Sequence, residues 1–296
     1  MSNQQQKTTL SEKHNVPLLD KAQRLSDYLT GIFTIISSRK GIKKAIKKGL
    51  IKVNGKTGHT GDWVKGGETI SFYRDDELNK NLLVDIPIHV FYEDDYLAVV
   101  RKPAGIAVSG NKRRTLEHAF PSNLKPSTKT DVLPIPQAIH RLDYPTSGVL
   151  LVGKTSAAVV SLNQLFEQRI IEKKYLAVCI GEMPPSGTID TPVDNKMATT
   201  NYKVLETVIS ERFGCLNLLE VKIETGRRHQ IRIHLAKKGN PVLGDQTYGV
   251  EPKILKGKGL YLHAISLKFT HPVSNRLIEI TDSLPAKFKK IFPDYS

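Results

Sequence analysis

Between Leu25 and Leu50 the apolar residues return every three or four positions: Leu25, Tyr28, Leu29, Ile32 and Phe33, then Ile42, Ala45, Ile46 and Leu50. That is the helical repeat, and it predicts two short amphipathic helices. The period then drops to two. "LIKVNGK" sets Asn54-Gly55 between extended runs, and "ETISFY" alternates, so a small sheet follows the helices. Further on, "HVFYEDDYLAVVRKPAG" (89–105) predicts two strands around an Asp94-Asp95 turn. Residues 109–136 are crowded with turn formers and allow at most one short helix near Thr115–Phe120. The aliphatic run Val149-Leu150-Leu151-Val152 suits a strand buried on both faces. Ile231 and Leu235 mark a helix that begins after Thr225-Gly226 and closes at Gly239, with Arg228 and Arg232 on one face bordering a cleft.

Charge adds a partner to this outline. The 296 residues carry 44 Lys and Arg against 29 Asp and Glu, a formal net charge of +15. An excess of that size serves an anionic partner, nucleic acid or an anionic membrane surface. Arg39, Lys40, Lys43, Lys44, Lys47 and Lys48 fall on the polar side of the second helix, opposite Ile42 and Ile46, and no acid interrupts the segment between Asp27 and Asp62. No apolar run reaches the length of about eighteen residues that spans a bilayer. The first fifteen residues lack the apolar middle of a secretory signal, so a cytoplasmic protein is expected. Cys179 and Cys215 show no metal-ligand spacing and are expected as reduced thiols. The expected organisation is a disordered tail over 1–20, a small basic module over 21–75, a linker over 76–88 and a main domain over 89–296.

The candidate chemistry lies in "IHRLDYPTSGVLLVGKT" (139–155), where Asp143 stands just before the buried strand. A carboxylate there is costly unless a cation or donors hold it. Two readings remain open: Asp143 caps the turn by accepting N–H bonds from Thr146 or Ser147, or it is a poised acid. The wider chain bears on the choice. "YEDDYLAVVRKPAG", "HRLDYPTSGVLLVGKT", "EKKYLAVCIG", "IETGRRHQIRIHL", "GNPVLGDQTYG" and "LHAISLKFTHP" follow one another over residues 89–271. In content and order they resemble the RluA-type family of RNA pseudouridine synthases. Residues 22–73, with "RLSDYLT", "SRKGIKKAIKKGLIKVNGK" and "VKGGETI", resemble the alpha-L RNA-binding domain of a small-subunit ribosomal protein.

The resemblance implies an α+β chain: a mixed, mostly antiparallel sheet with a central cleft, preceded by the small α/β-type RNA-binding domain. It implies isomerisation of uridine in structured RNA to pseudouridine, with no metal and no organic cofactor. Separately, the partner expected is RNA and not a membrane, and the protein is expected as a monomer. Large-subunit ribosomal RNA is the expected substrate, because the basic accessory domain is frequent in members acting there. An aspartate is ionised at neutral pH, its unperturbed pKa being about 3.9, so it needs no base to become a nucleophile or to stabilise an oxocarbenium. Retaining glycosidases need a second carboxylate to protonate the leaving group. A leaving uracil can carry its own charge, and one carboxylate suffices. Attack on the sugar, attack on the ring and assistance to elimination all remain compatible with Asp143.

By the same resemblance Tyr175 stacks near the base and removes the C5 proton, while Arg232 pairs with Asp143, with Arg227 as the alternative partner. Arg141 would fill the RNA stack left by a flipped uridine. His140, which would orient the loop, joins Arg141, Arg227, Thr146 and His229 in the substrate-contacting set. The basic stripe of the first module would hold phosphates. Arg101 stands where the family pattern has Asn, Gly153 stands where it has Ala, and "PVDNKMATTNYKVLE" is shorter than the common form. The "NKRRT" loop is a candidate for extra RNA contacts. The competing expectations are a non-catalytic RNA-binding or ribosome-assembly factor on the same fold, and a hydrolase that releases the base.

Overall fold

The computed structural model of the chain describes residues 8–33, 36, 39–75, 84–110 and 114–295. By its contacts the chain divides into Met1–Leu83 with Thr130–Ile135, and Val84–Lys129 with Pro136–Ser296. Among the described residues no helix is long and apolar enough to cross a membrane.

The first unit contains β1 (Thr8–Asn15), β2 (Gln23–Arg24), α1 (Leu25–Tyr28), α2 (Arg39–Lys47), β3 (Ile51–Val53), β4 (Lys56–Thr57), β5 (Trp63–Val64) and β6 (Thr69–Asp75). Its sheet runs β1-β6-β3-β4, and β2 pairs separately with β5. The first helix is shorter than its periodicity predicts: α1 stops at Tyr28 and turns carry the chain on, yet Leu25, Leu29 and Phe33 are still buried together with Ile42, Ala45 and Ile46 of α2. Asn54 and Gly55 both take positive φ, 48° and 82°, which is what a two-residue hairpin turn requires. The expected disordered tail over 1–20 is corrected for Thr8–Asn15. These residues pair with β6 in antiparallel register from Thr8↔Asp75 to Asn15↔Thr69, because the edge of β6 offers a full row of backbone groups to satisfy. Residues 1–7 and 76–83, the latter most of the expected linker, lie outside the described residues.

The second unit is built on a long mixed sheet. Its elements are β7 (His89–Glu93), β8 (Leu97–Lys102), α3 (Phe120–Asn123), β9 (Val132–Ala138, of which Val132–Ile135 group with the first unit), β10 (Ser147–Thr155), α4 (Ser156–Glu167), β11 (Glu172–Ile180), β12 (Ser186–Asp190), β13 (Thr199–Ser210), β14 (Gly214–Ile223), α5 (Gln230–Lys237), β15 (Leu262–Thr270), β16 (Leu277–Thr281) and α6 (Ala286–Lys289). The strand order is β12-β13-β14-β11-β15-β10-β8-β7, with β16 on β15. Every pairing along this path is antiparallel except β10 with β15, where Ser147 faces His263 and Gly148 faces Ala264. This is the α+β, mostly antiparallel class that the family resemblance implies.

β10 is buried from Gly148 to Thr155, which explains its unbroken aliphatic run. Gly148 is fixed by space: its φ is +120°, and a Cβ there would lie 2.2 Å from the Ala264 carbonyl oxygen. The close approach of β10 to β15 thus sets where the preceding turn, with Asp143, emerges. Thr155 then caps α4 by accepting the Ala158 N–H at 3.2 Å.

Candidate active site

Asp143 sits in the turn that leads into β10. The Thr146 N–H donates to the Asp143 main-chain oxygen at 3.0 Å, so the backbone closes the turn and the side chain is free of the capping duty that one reading of the sequence gave it. Its Oδ2 lies 3.5 Å from Arg232 Nη1 and its Oδ1 lies 3.8 Å from His229 Nε2. Behind the turn is Lys102, fully buried at the end of β8. Its Nζ donates to the carbonyl oxygens of Thr146 (2.6 Å), Pro103 (3.1 Å) and Tyr144 (3.3 Å), and so clasps both sides of the turn. Burial pulls the Lys102 ammonium down to about 8, against the opposing charge of Asp143.

Arg232 lies on α5 with its side chain 4% exposed. Nε and Nη2 donate to the two oxygens of Asp245 at 2.7 and 2.8 Å, a bidentate pair. Burial pushes the Asp245 carboxyl up, but the Arg232 bond and the N–H groups of Thr247 and Tyr248 outweigh it and hold it below the ordinary carboxylate range. The guanidinium also lies over the Tyr248 ring at 5.0 Å, and the Tyr248 hydroxyl is 2.9 Å from His229 Nδ1. His229 takes the left-handed φ of 56° at the start of α5, and burial first of all lowers its pKa, leaving a neutral imidazole beside Asp143 at pH 7. Tyr175 is buried on β11 between β14 and β15. Desolvation, then the charge of Asp143, push its phenol far above the ordinary tyrosine value, so its proton stays on.

Asp143, Tyr175, His229 and Arg232 share one cavity of about 450 Å³, with Arg141, Asp194, Arg227 and Arg228 also in its wall. That volume is in the range of small-ligand pockets. Thr146 also faces it, and the Thr146 Oγ1 is buried with no hydrogen-bond partner among the described residues. His140 lies outside this cavity and ties its loop to β10: its Nε2 accepts the Leu151 N–H at 3.1 Å, its ring lies 4.9 Å from Phe166, and burial drives it down to about 3. Two expectations need correction. Arg228 precedes α5 and is exposed, so Arg228 and Arg232 reach the cavity from different elements, not from one helix face. Arg227 makes no ion pair with Asp143; its N–H donates to Gln230 Oε1 at 3.1 Å. Arg39, Lys40, Lys43, Lys44, Lys47 and Lys48 are all exposed on or just after α2, and Arg39 pairs with Asp27 at 2.8 Å. Of the "NKRRT" loop, residues 111–113 lie outside the described residues.

Sequence reasoning missed three positioning groups. Asp245 was present in "GDQTYG" and Lys102 in "RKPAG", but their partners are 13 and 44 residues away. Gln230, buried at the head of α5, accepts from Thr225 Oγ1 at 2.7 Å and donates to the Thr199 oxygen at 2.9 Å, which ties the arginine-bearing loop to β13. Arg101, which replaces the usual Asn, forms a bidentate pair with buried Asp282, to which His263 also bonds at 3.2 Å.

The cavity wall thus sets two carboxylates, Asp143 and Asp194, among Arg141, Arg227, Arg228 and Arg232, and of the two it is Asp143 that faces a buried guanidinium. Residues 96–237 match the family described as RNA pseudouridylate synthase. The chain is 34% identical over 284 residues to ribosomal large subunit pseudouridine synthase D of Xanthomonas campestris pv. campestris, covering 86% of this chain and 83% of that protein. It is 33% identical over 310 residues to an uncharacterized RNA pseudouridine synthase of Aquifex aeolicus, covering 96% and 97%. The solved structure of human RNA pseudouridylate synthase domain containing 1 superposes with a TM-score of 0.56 at 25% identity, over 67% of this chain and 84% of that one. The chain belongs to the RNA pseudouridine synthase family.

Proposed function

We propose that this enzyme isomerises uridine in large-subunit ribosomal RNA, with Asp143 as the nucleophile, Arg232 as its electrostatic partner and Tyr175 as the wall of the base site. The observation that carries the reading is the convergence of these three side chains on one cavity, with the carboxylate 3.5 Å from a guanidinium that Asp245 has already fixed. The ribosomal substrate rests on the relatives named for that activity and on the exposed basic stripe of α2.

The chemistry balances without a co-reactant. Asp143 forms a bond to the anomeric carbon as the N1–C1′ bond breaks, and the uracil leaves as an anion stabilised by the surrounding arginines. The ring turns, C5 displaces the carboxylate from C1′, the C5 proton departs and N1 is protonated. Tyr175 starts protonated, so it serves the C5 proton as a relay, passing its own proton to a solvent water as its oxygen takes the other, while N1 draws its proton from solvent. Arg141, exposed at the rim, is placed to fill the stack left by an extruded nucleotide. The lysines of α2 contribute phosphate affinity that carries no sequence information. The non-catalytic alternative has no observation in its favour.

Incubation with an unmodified large-subunit ribosomal RNA transcript, followed by nucleoside digestion and chromatography, should yield pseudouridine. Equal yields from transfer RNA and small-subunit RNA would overturn the substrate assignment.

A further inference from the structure

A second cavity, of about 420 Å³, shares Arg141, Tyr175 and Arg227 with the first but does not touch Asp143. The rest of its wall includes His140, Phe166, Glu167, Arg169, Lys173 and Glu224. The fold presents these groups rigidly. α4 ends at Glu167, and Arg169 takes a left-handed φ of 59° to turn the chain into β11. The Arg169 and Ile170 N–H groups meanwhile close on the Phe166 and Leu165 oxygens at 3.1 and 3.0 Å.

Lys173 is the telling residue. Its neighbour Lys174 pairs with Glu220 at 3.0 Å, but Lys173 has no ion pair among the described residues. Its ammonium stands 5.0 Å over the Phe166 ring, and burial holds its pKa below the ordinary lysine value with no carboxylate to offset it. A half-buried cation that stands over a ring face beside a neutral imidazole, His140, favours an anion brought from outside. Arg141, Arg169 and Arg227 are likewise exposed and unpaired among the described residues, and the His140 ring is neutral, so four cations face two carboxylates. One of those carboxylates, Glu224, takes the Asn201 amide at 3.3 Å on Oε1, and its other oxygen has no partner among the described residues.

We infer that this cavity is a second nucleotide subsite: it receives the nucleotide adjoining the target uridine in the same strand. Lys173 and Arg169 meet its phosphate, and Glu224 accepts from an exocyclic amine of its base. Adenine, cytosine and guanine carry such an amine and uracil does not, so the subsite selects against a uridine neighbour. The two cavities meet across Arg141, Tyr175 and Arg227, so consecutive nucleotides reach both.

The inference rests on the first cavity being the target site, and it is tested by binding, not by turnover. Calorimetric titration of the full chain compares uridine 5′-monophosphate with the dinucleotides UpG, GpU and UpU. The better of UpG and GpU should bind about tenfold or more tightly than the mononucleotide, a gain expected of one charge-assisted contact. Lys173→Met should erase that gain without weakening the mononucleotide, and Lys173→Arg should keep it. Glu224→Ala should remove only the preference over UpU. Dinucleotides that bind no better than the mononucleotide, or a gain that survives Lys173→Met, would overturn the subsite. Failure of the functional reading shows differently, as the absence of pseudouridine from RNA treated with the unaltered protein.

Discussion

Arg232 gives two nitrogens to Asp245 and one to Asp143. The first pair of contacts measures 2.7 and 2.8 Å, the second 3.5 Å. The buried aspartate therefore fixes the guanidinium, and the catalytic candidate receives a positive charge that it does not fully consume. Removing Asp245 strands a buried cation, which costs on the order of 3–5 kcal/mol. Asp245→Ala should lower the urea midpoint accordingly, and in the folded fraction it should depress kcat more than KM. An unchanged midpoint would remove Asp245 as the anchor.

A second buried acid contributes to the acid limit of the fold. Burial raises the Asp282 carboxyl, but His263 and Arg101 outweigh it and bring it to about 2, against an ordinary 3.8. A depressed carboxylate stabilises the folded state above its unfolded pKa and loses that contribution as pH falls through the folded one. Thermal unfolding from pH 5 to pH 2 should therefore show a loss of stability concentrated between about 4 and 2. Asp282→Asn should flatten that limb and lower stability at neutral pH. The same acid limb in both proteins would contradict the assignment.

Lys102 offers another test of how the turn is held. Replacing it by Met removes the donor of three carbonyl oxygens at once, and each buried acceptor left unpaired costs about 1–3 kcal/mol. Lys102→Met should lower the unfolding midpoint, with the folded remainder retaining RNA binding through α2. A variant as stable as the original would mean that water replaces the ammonium.

The basic stripe makes a prediction about salt. Each phosphate contact adds about 0.9 to the slope of log K against log salt on duplex nucleic acid. Changing Lys43, Lys44, Lys47 and Lys48 to Glu should weaken RNA binding at low salt and reduce that slope by up to about 4. All four are exposed, so folding should be unaffected. Filter binding of ribosomal RNA from 50 to 300 mM salt reads the slope, and an unchanged one would move the phosphate contacts off α2.

What the sequence revealed and what it hid follow the range of the interactions involved. β10 was legible because burial on both faces leaves an unbroken aliphatic run, and the Asn54-Gly55 turn because it needs two positive φ angles. β1 was hidden: "TTLSEKHN" is a half-exposed edge strand whose pairing comes from the backbone of β6, not from apolar alternation. β9 was hidden by Pro134 and Pro136, which break the look of a strand without preventing one. At the site, Asp143, Tyr175 and Arg232 were found through short motifs, whereas Asp245, Lys102 and Gln230 act through contacts that only the fold brings together. Arg228 and Arg232 are four apart and look like helix neighbours, but the left-handed turn at His229 starts α5 after Arg228.

The central claim concerns one carboxylate, and tritium at uridine C5 reads it directly. Large-subunit ribosomal RNA labelled there should release tritium to water with the unaltered protein, and Asp143→Asn should release none while binding the RNA as before. Release at an undiminished rate from Asp143→Asn would contradict the account.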